Sequence, residues 1–429
     1  MQTIRELAEQ GWTGALDLKV DFHPVRVRRS RAEEVHERIL VFSGLANSYA
    51  VDTGDGLVLL DAGHVAEAAD LHARIRDWRP DTPLYGAVYS HHHVDHVFGV
   101  APFDAEAAER GWPAPVVHAH ADVVPHFDRY RATNGLNTAL NRRQFAVDTP
   151  DFRWPDRFRH PDVGYRDRMA FHRGDLTFDL HHARGETDDA TWTWIPELKA
   201  VHTGDLFIWA LPNAGNPQKV QRYASDWAHA LREMAALGAE LLLPGHGLPV
   251  FGADRVRRAC SETAELLESL EAQTLAAMNR GLPLDEVIHA VSVPAHLADR
   301  PYLQPVYDHP QFVVRNIWRR YGGWYDGEPD NLVPAPRDAQ AREWVRLAGG
   351  VRSVLDRAAE LHRDGDSRLA CHLVEHAVRA APDDADVHEL RARIYAERAA
   401  GESSLMVRNI LGHAAAASRE GERDLASRG

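Results

Sequence analysis

The 429-residue chain has only two cysteines, Cys260 and Cys371, so it can build neither a disulfide framework nor a cysteine-based zinc finger. No apolar run approaches the ~20 residues that a membrane span needs. The opening stretch, residues 1–20, lacks the basic-then-apolar order of a secretory leader. Basic residues fall short of acidic ones, 49 Lys and Arg against 63 Asp and Glu, for a net charge of −14. That balance argues against sequence-blind binding to nucleic acid and against docking on an anionic membrane surface. What remains is an ordinary globular mix, 44% hydrophobic and 26% charged, long enough for two or three domains. A cytoplasmic enzyme is the expectation. One residue is plentiful: there are 26 histidines, several of them bunched.

The first 35 or so residues are mixed and charged, and the basic cluster at 26–31 reads as a solvated edge. From Ile39 onward short apolar runs at 39–42, 48–51 and 57–60 are split by Gly, Asn and Asp, the pattern of hairpin-linked strands. Residues 70–78 read as a short helix, 86–90 as a buried strand delivering its end to His91, and 116–119 as another strand. Residues 126–168 are rich in Arg, Asp, Phe, Trp and Pro with weak periodicity, which predicts a long irregular insertion or lid. Strand patterns return at 176–180, 191–195, 198–201 and 241–243, with a helix over 227–237.

After Gly252 the pattern becomes helical. Val256, Cys260, Thr263, Leu267, Leu270, Thr274 and Met278 recur at three- and four-residue steps, which marks one long amphipathic helix. Helices follow at 284–291, 311–321 and 340–348, and two or three Ala- and Leu-rich ones over 351–400. Residues 370–399, with Pro382 in the turn, are similar to one tetratricopeptide-like helix pair. The domains expected are 1–252 (catalytic) and 253–420 (helical), with a frayed tail at 421–429.

The chemistry concentrates in Ser90-His91-His92-His93-Val94-Asp95-His96, which directly follows an apolar strand. Such a loop can turn four ligands toward one point: two imidazoles for a first divalent ion, and a carboxylate with a third imidazole for a second. An internal run with a spaced Asp is unlike a surface histidine tag. Three later turns complete the set: Gly185-Glu186-Thr187 can supply a carboxylate, Thr203-Gly204-Asp205 a carboxylate able to bridge two ions, and Pro244-Gly245-His246 an imidazole. Each turn alone is commonplace; their order and shared place at strand C-terminal ends are not.

His91-x-His93-x-Asp95-His96 with the Asp205 and His246 turns resembles the signature of the metallo-β-lactamase fold, over about residues 39–252. That resemblance implies an α/β fold, an αββα sandwich with a one- or two-metal site along one edge. Glu186 stands where most of the family has His, which is similar to the alkyl sulfatase branch. Residues 273–281, and the run Tyr321-Gly322-Gly323-Trp324-Tyr325-Asp326-Gly327-Glu328-Pro329, resemble that branch's all-α dimerisation domain.

By this resemblance His91, His93 and Glu186 hold one ion, Asp95, His96 and His246 hold the second, and Asp205 bridges. Zinc suits these donors, two ions per chain, and iron or manganese fit them too. Asp95 and Asp205 carry the catalytic role. His182 is a rival ligand, His92 points away from the ions, and His202 is a buried or supporting residue. Asn213 and Arg222 match the branch's sulfate-gripping stretch, while Gln218 or Lys219 stands where an earlier Arg is expected. Arg142 and Arg143 resemble another basic pair of the branch.

The function implied is hydrolysis of a small or medium alkyl sulfate to alcohol and sulfate by a metal-held hydroxide. A lactone, thioester or phosphoester hydrolase is the alternative. Two divalent ions bring four positive charges, which three carboxylates and one hydroxide cancel, so neighbouring cations must attract an anionic ester. By the same resemblance, no counterpart of the lipid-carrier-like third domain of the secreted sulfatases is expected. A homodimer through the helical part is expected.

Overall fold

The computed structural model describes residues 2–25, 30–147, 149 and 151–426. Arg26, Arg28 and Arg29 of the basic cluster, and the last three residues of the expected tail, lie outside them. The chain forms two compact units, residues 1–132 with 155–323, and residues 133–154 with 324–429.

Two sheets build the first unit. The first holds β1 (Arg31–His36), β2 (Ile39–Ser43), β3 (Asn47–Asp52), β4 (Leu57–Leu60), β5 (Leu84–Val88), β6 (Val116–His120) and β7 (Val163–Tyr165), in that spatial order. Its first four strands are antiparallel, joined by short Gly- and Asp-rich turns, and β4 to β7 run parallel. The second sheet holds β8 (Arg168–Arg173), β9 (Leu176–Ala183), β10 (Ala190–Ile195), β11 (Ala200–Gly204), β12 (Leu241–Pro244) and β13 (Val250–Phe251), in the order β13-β12-β11-β10-β9-β8.

Strand alternation sorts the first sheet into two buried faces. Leu40, Phe42, Ala50, Leu57 and Leu59 pack on Leu71 and Ile75 of the helix Ala68–Trp78 and on Phe103 of the helix Ala101–Arg110. Tyr49 points the other way and donates its hydroxyl to the Pro244 carbonyl of the second sheet, 2.8 Å away. Behind the second sheet lies the helix Ala224–Ala236, whose Trp227 donates to the Leu206 carbonyl. The layers are therefore helix, sheet, sheet, helix, as the sequence resemblance implies.

Several local expectations change. The N-terminal stretch contains the helix Ile4–Thr13, closed by a Thr3–Glu6 capping box and by Gly14 in the left-handed region. The insertion expected over 126–168 is irregular only in part: its first portion forms two helices, Val123–Ala132 and Asn134–Phe145, and residues 151–162 run without helix or strand to β7. The second helix buries Asn137, Thr138, Asn141, Arg142 and Gln144, so its inward face is polar and leaves no apolar period to read. The strand expected at 198–201 starts at Ala200, because Pro196–Leu198 forms a 3-10 turn ending at Lys199 with φ +45°.

The long helix is present as Ala253–Asn279, and it packs on Ala224–Ala236 within the first unit. The compact units therefore do not divide at residue 252. The second unit gathers Asn134–Phe145 with the helices Arg337–Leu347, Val351–Arg363, Ser367–Ala380, Ala385–Gly401 and Leu405–Arg419. Its core includes Leu355, Val374, Ala377, Val387 and Ile394. The helix pair around Pro382 is Ser367–Ala380 and Ala385–Gly401. No described helix is long and apolar enough to cross a membrane.

Candidate metal centre

Parallel strands end together, and their ends deliver the polar loops to one place. β5 leads through Tyr89 and Ser90 into the histidine loop, β9 into Glu186, β11 into Asp205, and β12 through Gly245 into His246. Two glycines permit the close approach. A side chain on Gly245 would lie 2.1 Å from Asp205 Oδ1, and one on Gly204, at φ +48°, would meet Ser90 at 2.6 Å.

The seven expected ligands fall into two groups. Donor atoms of His91, His93, Glu186 and Asp205 lie within 4.8 Å of one another, as do those of Asp95, His96 and His246. Asp205 reaches across both: its carboxylate is 3.9 Å from His91 Nε2, 3.4 Å from His96 Nε2 and 3.5 Å from His246 Nε2. His93 Nδ1 is 3.9 Å from Glu186, and Asp95 is 3.3 Å from His246 Nε2.

The opposite edge of each ring is anchored. His91 Nδ1 meets Ser90 Oγ at 2.9 Å, His96 Nδ1 meets Asp61 at 2.8 Å, and His246 Nδ1 donates to the Leu45 carbonyl at 2.7 Å. The inward atoms are not satisfied: His91 Nε2, His96 Nε2, Glu186 Oε2 and Asp205 Oδ1 are buried without a hydrogen-bond partner. Buried polar atoms are normally paired, and imidazole and carboxylate donors left open toward one point are the donor set of a divalent metal. The residues fit two ions.

Electrostatics agree. Burial opposes a charged His246, yet Asp205 and Asp95 outweigh it and push its pKa up to about 10. His96 behaves likewise, with burial overridden by Asp205, Asp61 and Asp95. The carboxylates thus demand positive charge, which protons supply here and bound cations would supply instead. Burial raises Glu186 well above the usual carboxylate range, against the pull of Arg222. The side chains of Asp95 and His93 keep 19% and 16% of their exposure, whereas His96 has none, so solvent reaches the site from the Asp95 and His93 side.

The other expected residues find different partners. Asn213 donates to Glu186 Oε1, and Arg222 NH1 lies 2.9 Å from the same oxygen while also donating to the Glu186 carbonyl. Both are buried and brace Glu186. Lys219 is half-buried, its pKa lowered to about 8 by burial and by Arg222. Arg142 and Arg143 lie on the helix Asn134–Phe145 of the second unit, where Arg143 Nε is 3.1 Å from Asp424. His182 joins neither ligand group; its Nε2 meets the Asp188 carbonyl at 2.8 Å and its ring stacks on His120. His92 turns to Asp189, 2.9 Å away, and a third cluster of His92, His126 and Asp189 sits beside the ligands.

Sequence reading missed Asp61, Asp189 and Arg129. Asp61 follows β4 as Asp205 follows β11, a strand-end carboxylate that could have been singled out. Its backbone sits at φ +57°, and it accepts from Ser90 N and Ser90 Oγ as well as facing His96. Nothing local marks Asp189 or Arg129.

Residues 42–246 match the model of the metallo-beta-lactamase superfamily, and residues 283–421 match that of alkyl sulfatase dimerisation. A linear primary-alkylsulfatase of a Pseudomonas species is 27% identical over 364 residues, 80% of this chain and 69% of that protein. An (R)-specific secondary-alkylsulfatase, also from Pseudomonas, is 29% identical over 391 residues, 84% of this chain and 58% of its own. A double mutant of the sec-alkyl sulfatase PisA1 superposes with a TM-score of 0.84 at 25% identity, over 93% of this chain and 67% of that one. The chain thus spans between 58% and 69% of the length of these relatives. The chain therefore joins a metallo-beta-lactamase superfamily domain to an alkyl sulfatase dimerisation domain, in that order along the sequence.

Proposed function

We propose that this protein hydrolyses sulfuric esters, converting a small or medium alkyl sulfate to the alcohol and inorganic sulfate. The observation that carries this reading is the convergence of seven ligand side chains on two groups joined by Asp205, in a chain similar to alkylsulfatases over most of its length. His91, His93, Glu186 and Asp205 would hold one ion and Asp95, His96, His246 and Asp205 the second, with zinc suited to the donors and iron or manganese compatible. When bound, such a pair supplies hydroxide near neutral pH by lowering the pKa of water. Asp61, Ser90 and the Leu45 carbonyl fix the rings, Asn213 and Arg222 fix Glu186, and Lys219 adds positive charge for an anionic ester.

A homodimer accompanies this reading. The second unit exposes Trp324, Val333, Trp344 and Leu347, at 73%, 98%, 60% and 74%, apolar side chains that a second copy would cover. A cytoplasmic location is supported by two buried, unpaired cysteines.

The test is sulfate release from a panel of alkyl sulfates by protein purified without added metal, alongside elemental analysis. Sulfate release with two divalent ions per chain supports the reading. Turnover of lactones, thioesters or phosphoesters, with no sulfate released from any alkyl sulfate, overturns it.

A further inference from the structure

A metal pair neutralised by three carboxylates and a hydroxide attracts an anionic ester only weakly, and Arg222 already faces Glu186 at 2.9 Å. The attraction has to come from other cations of the same unit. Arg129, on the helix Val123–Ala132, is one that the sequence does not reveal.

Its NH2 group lies 3.1 Å from His92 Nε2. His92 Nδ1 in turn lies 2.9 Å from Asp189, which also accepts from the His92 backbone N–H at 3.2 Å. A guanidinium can only donate and a carboxylate only accept, so one neutral tautomer satisfies both contacts: Nδ1–H donates to Asp189 and the Nε2 lone pair accepts from Arg129. His92 and Asp189 are fully buried, and Arg129 keeps part of its surface. The His92 ring is packed 4.3 Å from His126 and 5.3 Å from Tyr130, which stops it from turning. It also lies 4.9 Å from the ring of His93, on the side of the metal loop that solvent reaches. One edge of the Arg129 guanidinium is thus tied to the residue between two proposed ligands.

We propose that Arg129 is a specificity-determining residue that binds the sulfate group of the substrate, and that His92 and Asp189 are positioning residues that hold it there. This rests on the sulfuric-ester reading. A guanidinium fork matches two oxygens of a sulfate face, and tethering it beforehand spares the ordering cost at binding.

The experiment uses metal-loaded full-length protein and inorganic sulfate as the probe, with calorimetric binding and competitive inhibition of alkyl sulfate turnover read together. Arg129→Gln is expected to weaken sulfate binding and raise KM by about tenfold or more, with kcat changed less than about threefold and metal content unchanged. Arg129→Lys, which keeps the charge without the fork, is expected to fall between. His92→Phe should weaken sulfate binding in the same sense, and adding it to Arg129→Gln should cost nothing further, as for two members of one unit. If the wild type releases and binds sulfate and Arg129→Gln matches it, the role of Arg129 is overturned while the sulfatase reading stands. Additive losses in the double variant overturn the His92 arm. A wild type that neither binds sulfate nor releases it overturns both.

Discussion

Asp61 Oδ2 lies 2.8 Å from His96 Nδ1, and both side chains are completely buried. The carboxylate fixes the ring so that Nε2 faces Asp95 and Asp205, and it holds the start of the histidine loop through Ser90. Partners of this kind are worth ~10–100-fold in metal affinity. Asp61→Ala is therefore expected to weaken binding of the ion at His96 by that factor, measured by titration against a chelator. Asp61→Asn should spare the backbone better, because Asn tolerates φ +57°. Unchanged affinity in both variants would show that the ring is held by something else.

Gly245→Ala tests the approach of two loops. The added carbon would sit 2.1 Å from Asp205 Oδ1 and 2.7 Å from the Gly204 carbonyl carbon, so Asp205 must move. Metal content below two ions per chain, and loss of sulfate ester turnover, are expected. Gly412→Ala is the control: it lies in the helix Leu405–Arg419 with open space around it and should gain roughly 0.5–1 kcal/mol.

Arg222 and Glu186 form a buried pair. Arg222 also donates to the Glu186 carbonyl, and removing it leaves buried acceptors unpaired at about 1–3 kcal/mol each. Arg222→Met should show that loss in denaturant unfolding of chelator-treated protein. A smaller loss is expected with ions bound, since they also face Glu186. Adding Glu186→Gln should recover stability in the chelated state; failure to do so would place the strain elsewhere.

Stability of the chelated protein should depend on pH with a definite sign. His246 is raised to about 10, so its contribution is full below its ordinary value of 6.5 and disappears as pH climbs through about 10. Asp205 is held well below 3.8, against burial, by His246 and His96, so its contribution is present above that value and is lost in acid. Stability should therefore be greatest between about pH 4 and 6.5, declining in acid below that range and progressively between 6.5 and about 10 above it. Because an ion must displace the His246 proton, binding should release protons, read by calorimetry in buffers of different ionisation heat. Equal stability at about pH 7 and above 10 would contradict the assignment.

The apolar surface of the second unit gives a simpler measurement. Trp344→Glu combined with Leu347→Glu should convert a particle of twice the 48.0 kDa chain mass into one of chain mass, seen by light scattering. A wild type that already runs at chain mass would remove the dimer.

Much of this protein was legible from its residues in order. Apolar runs of three or four residues closed by turn residues determined β2, β3, β4 and β12, and three- and four-residue steps determined the helix Ala253–Asn279, because burial of one face imposes a period on the chain. The spacing His91-x-His93-x-Asp95-His96 and three strand-end turns singled out seven side chains that the fold gathers into two groups able to hold metal ions. Where burial is polar the period vanishes, so the helix Asn134–Phe145, with Asn137, Asn141 and Gln144 inside, was unreadable.

What only the tertiary structure decided is who meets whom across long loops. Arg222 came to Glu186, Arg143 to Asp424, and Arg129 to His92, pairings of 36, 281 and 37 residues' separation that no local pattern records. A charged side chain carries no sign of its partner in its own sequence neighbourhood. Its partner is set by which strand ends and helices the core packing brings together, and that is a property of the whole fold.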